Sequence, residues 1–139
     1  MGLTLDYSKQ EYADSLGNRE FKPLTPGNYP AKMEKFEEGI AKSSGDPKVT
    51  VYYRIDANAA EGKNRVIIKD YSLAPHAIWS WNNAMIALGG VDSAFFEGNK
   101  KVNVEAVCQS NVGQPCVLEL TPPDDGYNNN NVKQVKPRI

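Results

Sequence analysis

The sequence predicts a mainly β domain on three observations. Short β-branched and aromatic runs alternate in polarity, clusters of Gly, Pro, Asn and Asp punctuate them, and a single segment carries a clear helical period. At 139 residues with 40% hydrophobic content, the chain is long enough to bury one core of its own. The expected division is an N-terminal arm or short helix over residues 1–21 and a folded domain over 22–139.

The elements follow in order. Residues up to Phe21 are polar with scattered aromatics and no sustained period. Thr25-Pro26-Gly27-Asn28 supplies a turn, because proline presets φ and glycine accepts a positive φ. From Tyr29 to Glu38, the residues Tyr29, Ala31 and Met33 alternate with Lys32 and Glu34, the period of a half-buried strand, and the same alternation sets Phe36 on the polar side. Ser43-Ser44-Gly45-Asp46-Pro47 is a second turn. The clearest strand follows: Val49, Val51, Tyr53 and Ile55 fall on one face, and Thr50, Tyr52 and Arg54 on the other. A break from Ala57 to Lys63 leads to a third strand over Arg65 to Leu73, which completes a meander. Pro75 suits a first helical position, and Ile78, Trp81, Met85 and Leu88 recur at three- and four-residue steps before Gly89-Gly90 ends the helix. Asp92 and Asn103 are good caps for shorter helical pieces. Val117 to Thr121 and Val132 to Lys136 alternate again, separated by a long Asp/Asn-rich loop. Three strands, a helical insertion between strands 3 and 4, and two further strands are the order of a five-stranded OB-type barrel. A β-sandwich can be assembled from the same elements.

Composition narrows the function. A net charge of −1 does not suit nonspecific clamping of duplex DNA, which needs a strongly basic surface. No stretch approaches the ~20 apolar residues of a membrane span, and Met1-Gly2-Leu3-Thr4-Leu5-Asp6 has no signal pattern, so the expected location is cytoplasmic with no membrane partner. Cys108 and Cys116 are too few for a disulfide framework. His76 is the sole histidine, and with the two cysteines it makes at most three scattered ligands. Phosphate loops and nucleophile elbows are missing from the sequence. The expectation is a non-enzyme with no catalytic residues, no metal and no cofactor.

Several segments carry a resemblance. They are Leu5-Asp6-Tyr7-Ser8, Leu24-Thr25-Pro26-Gly27-Asn28-Tyr29, Lys42-Ser43-Ser44-Gly45-Asp46-Pro47, Glu61-Gly62-Lys63-Asn64-Arg65, Ile78-Trp79 through Ala87-Leu88-Gly89, Val112-Gly113-Gln114-Pro115-Cys116 and Asn131-Val132-Lys133. Together, and in this order, they resemble a phage-encoded family, a domain of unknown function associated with single-stranded DNA binding in replication and recombination modules. Gln114 stands where that family usually has lysine, and the loop around Tyr127 is longer than its usual form. The resemblance implies an OB-type domain acting on single strands in the host cytoplasm. The ending Lys136-Pro137-Arg138-Ile139 lacks the acidic tail by which many replicative strand-binding proteins recruit partners.

Sequence-independent strand binding needs aromatic rings for bases and cations for phosphates. Tyr52 and Arg54, opposite the core face of their strand, are the first candidates. Arg65, Lys69 and Tyr71 share one face of the third strand, although Ile67 on that face argues that it turns inward. Phe36, Lys32 and Tyr127 complete the candidate set; Tyr127 either closes over a bound strand or is a disordered loop tip, the latter slightly favoured. Trp81 reads as core; Trp79, which points elsewhere, packs over the barrel end or is exposed, with core the favoured reading; and Phe95-Phe96 reads as a barrel plug or a partner contact. The expected partner is single-stranded DNA, with phage or host replication and recombination proteins as further partners. An exposed barrel edge is compatible with a homodimer. The competing reading is a protein-interaction module of OB-like fold that binds a recombinase, nuclease or host factor. A virion-associated structural domain fits the composition alone.

Overall fold

The computed structural model describes residues 2–4, 23–98, 101–124 and 130–138. The arm expected over residues 1–21 therefore lies outside the described residues apart from 2–4, as does Tyr127. In chain order the elements are β1 (Gly27–Ile40), β2 (Pro47–Ile55), β3 (Val66–Ser72), α1 (Ile78–Leu88), α2 (Ser93–Gly98), α3 (Val104–Asn111), β4 (Pro115–Thr121) and β5 (Asn131–Pro137). No helix among the described residues is long and apolar enough to cross a membrane.

The strands form one five-stranded antiparallel sheet in the order β3-β2-β1-β4-β5. β3 and β5 are its edges and do not pair, so the sheet is open and a closed barrel is not formed. Alternation explains the well-behaved strands: Val49, Val51, Tyr53 and Ile55 of β2 are fully buried, and Cys116, Leu118 and Leu120 of β4 join them. α1 packs its Trp81, Ala84, Met85 and Leu88 into this core between the two sheet edges. Trp81 meets Phe96 edge-to-face at 5.9 Å, and Phe95 meets Phe96 likewise at 5.4 Å, so the phenylalanine pair closes the core from α2.

Two strands depart from strict alternation. In β1, Met33 opposes Tyr53 while Lys35, not Glu34, opposes Tyr52, so Glu34 is the extra residue of a bulge. Inward residues are therefore Tyr29, Ala31 and Met33 before it and Phe36 after it. β5 behaves the same way. Gln134 opposes Glu119 and Val132 opposes Leu120, which leaves Lys133 at an irregularity and turns Val132 and Val135, three apart, both inward.

Helix ends follow cap chemistry with one correction. Gly89 closes α1 in the left-handed region at φ 91°, donating to Ile86 O at 3.0 Å. Asp92 Oδ1 accepts from Phe95 N, and Asn103 Oδ1 from Ala106 N, each at 2.9 Å. Pro75 does not open α1: it sits in a preceding turn in which Ala77 N and Ile78 N both donate to Ala74 O at 2.9 Å. Two buried asparagines stitch distant segments together. Asn111 donates to Met85 O and Val107 O and accepts from Gly90 N at 2.8 Å, joining α3 to the end of α1. Asn130 accepts from Leu24 N at 2.7 Å and donates to Leu24 O and Thr121 O, fastening the segment before β1 to the β4–β5 connection.

Candidate nucleic-acid interface

The outer face of β1, β2 and β3 is the surface on which the first candidates meet. Register places Lys32 beside Arg54 and Lys35 beside Tyr52, because directly opposed residues share a face. The Lys35 ammonium lies 4.4 Å from the centroid of the Tyr52 ring, a cation–π geometry. Ile68 of β3, opposite Tyr52, is 56% exposed and extends the same surface. Tyr52, the aromatic expected at this face, is thus half-buried within the sheet surface with a cation on its ring.

Carboxylates are interleaved with these cations. Glu34 holds Arg54 in a two-point pair, accepting from Nε at 2.6 Å and Nη2 at 3.0 Å, while Nη1 donates to Asn64 O at 2.7 Å. That fork keeps the Glu34 carboxyl below its usual range and raises the Arg54 guanidinium further. Tyr52 donates its hydroxyl to Glu37 at 3.2 Å, and Lys35 lies 4.0 Å from the same carboxylate. Partial desolvation, then this hydrogen bond, raises the Tyr52 phenol. Asp70 takes Lys48 at 3.4 Å and the Thr50 hydroxyl. Lys32 forms no ion pair within 4.0 Å among the described residues, whereas Arg54 is committed within the protein.

The remaining candidates scatter. Tyr71 is a core residue, 3% exposed, with its hydroxyl 2.7 Å from that of Tyr53. Its register opposite Val49, on the inward face with Ile67, fixes this. Burial pushes both phenols well up, so neither ring is a stacking platform. Phe36 packs against the core, because the bulge at Glu34 reverses the alternation that set it outward. Arg65 lies before β3 at the end of the sheet near Tyr29, away from Tyr52, and its carbonyl accepts from Ile55 N at 2.9 Å. Lys69 belongs to the inward side of β3 but reaches its rim, 5.7 Å from the Tyr71 ring.

Two residues were missed by the sequence reading. Lys35 joins the site through the bulge, for which the sequence offers no glycine or proline marker. Trp79, for which the sequence favours core packing over exposure, is 65% exposed on α1. Its place off the Ile78, Trp81, Met85 and Leu88 stripe was the available signal. It borders a groove of about 540 Å³ between β3, α1 and β5 that Lys69 and Lys133 also line. Compared with protein-family models and with curated proteins, the chain matches none.

Proposed function

We propose that this chain is a non-enzymatic single-stranded DNA-binding protein of OB-like architecture, with the outer face of β1 and β2 as its primary contact. The observation that carries the reading is the row Lys32, Lys35, Tyr52 and Arg54 on one solvent-facing surface, with the aromatic ring at its centre. Strand order supports the fold assignment: β3-β2-β1-β4-β5, with helices between β3 and β4 in the chain, is the order of an OB barrel left open between β3 and β5. The resemblance to the phage family supplies the setting, DNA replication or recombination in the host cytoplasm. A base arriving on the Tyr52 ring displaces the Lys35 ammonium toward the adjacent phosphate. One such stack contributes ~1–3 kcal/mol.

The test is an anisotropy titration of a labelled strand of ~30 nucleotides, longer than the ~4–16-nucleotide site of an OB fold, with duplex competitor at two salt concentrations. The expected result is binding that duplex does not compete and that weakens as salt rises. Tyr52→Ala with Lys35→Ala raises Kd about tenfold, and Glu34→Gln, which loosens the hold on Arg54, lowers it a few-fold. Absence of binding at low salt sinks the proposal. A second reading, a protein-interaction module for a recombinase, nuclease or host factor, is favoured by the exposure of Ile68 beside Tyr52 and by the carboxylates that neutralise the face. Partner capture that persists at high salt would mark that outcome.

A further inference from the structure

The groove between β3, α1 and β5 differs in chemistry from the rest of the surface. Across the molecule acids and bases nearly cancel, 17 against 16, and on the outer sheet face Glu34, Glu37 and Asp70 each hold a cation. In the groove, by contrast, Lys69 stands on one wall and Lys133 on the other, and no described residue lining it is a carboxylate. Lys69 has no ion pair within 4.0 Å among the described residues. Lys133 is 64% exposed and meets one Glu119 oxygen at 3.5 Å while Lys136 takes the other at 3.1 Å, so a single carboxylate is shared by two lysines and leaves a net positive charge at this wall. The irregularity in β5 falls at Lys133, as bulges beside binding sites re-aim a side chain.

Between the lysines, α1 presents the Trp79 indole, 65% exposed, with Asn83 one turn further on and Gln134 across the gap. An exposed tryptophan flanked by two cations and two amides suits a ligand with a flat aromatic part and a negatively charged part. A volume of about 540 Å³ lies within the range of small-molecule sites and accommodates one nucleotide. We propose that this groove is a nucleotide subsite of the strand-binding protein, in which Trp79 stacks on a base and Lys69 and Lys133 take the adjoining phosphates. The inference rests on the strand-binding reading and gives the strand a second contact, on a different face from Tyr52.

The bland alternative is that Trp79 is an isolated surface residue and that Lys69 only guards an edge strand, as inward-leaning lysines do. Intrinsic fluorescence separates the two, because Trp81, the other tryptophan, is 2% exposed and does not see the solvent. The intact protein is titrated with unlabelled oligothymidylate while tryptophan emission and anisotropy of a labelled competitor are read together. The expected result is quenching that tracks binding and disappears in Trp79→Phe. Trp79→Ala raises Kd about tenfold, the size of one lost stack. Lys69→Gln with Lys133→Gln lowers the slope of log K against log salt by about 1, as loss of one to two phosphate contacts requires. A purely structural role for these lysines leaves that slope unchanged. Binding without quenching, with wild-type affinity in Trp79→Ala and an unaltered slope in the lysine variant, overturns the groove and leaves the Tyr52 face standing. No binding at all overturns both.

Discussion

Cys108 and Cys116 are fully buried thiols, and burial pushes the first up to about 11 and the second to about 12 from an ordinary 9.0. A group whose folded value is raised favours its protonated form, so its contribution is complete below pH 9 and is lost as pH climbs toward 11 and 12. Tyr53 and Tyr71 are raised for the same reason and act in the same direction. The expected outcome is a urea midpoint that is level from pH 7 to 8 and falls between pH 9 and 11. Cys108→Ala with Cys116→Ala begins lower and declines less steeply. A midpoint unchanged to pH 11 contradicts this account. At this scale the sequence revealed which side of β2 Tyr52 and Arg54 occupy, because period-2 alternation holds there without interruption. What it hid was pairing: the fork between Arg54 and Glu34 joins side chains 20 positions apart, and only folded register brings them within 2.6 Å.

At the scale of the element, one inserted residue in β1 decides which side chains belong to the site. Without the bulge at Glu34, period-2 counting sends Phe36 to solvent and Lys35 to the core; with it, they exchange places. Phe36→Ala is therefore expected to cost about 2 kcal/mol of stability, below the ~3–5 kcal/mol of a fully buried phenylalanine because Phe36 is only partly covered. Its affinity for single strands should match the wild type once both are compared well below the melting temperature. Loss of affinity with no change in Tm reverses the assignment of its face. The bulges at Glu34 and Lys133 were illegible for a common reason. Neither carries the glycine that would betray it, and each is imposed by the pairing of a neighbouring strand. The stripe of α1 was legible, since Trp81, Met85 and Leu88 occupy one side of any helix drawn through them.

For the molecule as a whole, the open sheet makes a prediction that a closed barrel does not. β2 and β4 are paired on both sides along most of their length and β1 pairs with β4 over its first half and with β2 over its second, whereas β3 and β5 each have one unpaired edge. Amide hydrogen exchange is expected to be slowest in β2, β1 and β4 and faster along the outward-pointing amides of β3 and β5. Uniform protection around all five strands would mean that β3 and β5 pair in solution. Element order was legible in the sequence because each strand is bounded by its own turn residues. Closure was not, because pairing of Val66–Ser72 with Asn131–Pro137 depends on how the two edges approach in the folded sheet, where α1 packs against both.

α1 has a mechanical consequence. A sheet loaded across its interior strands shares the load among rows of hydrogen bonds, but load applied between β3 and β5 meets side-chain packing, with α1 against both strands, and no row of ladder bonds. That seam is the compliant line of the fold. The bulk of Trp81, Met85 and Leu88 sets how wide it stands, since close-packed interiors transmit a change of volume as displacement.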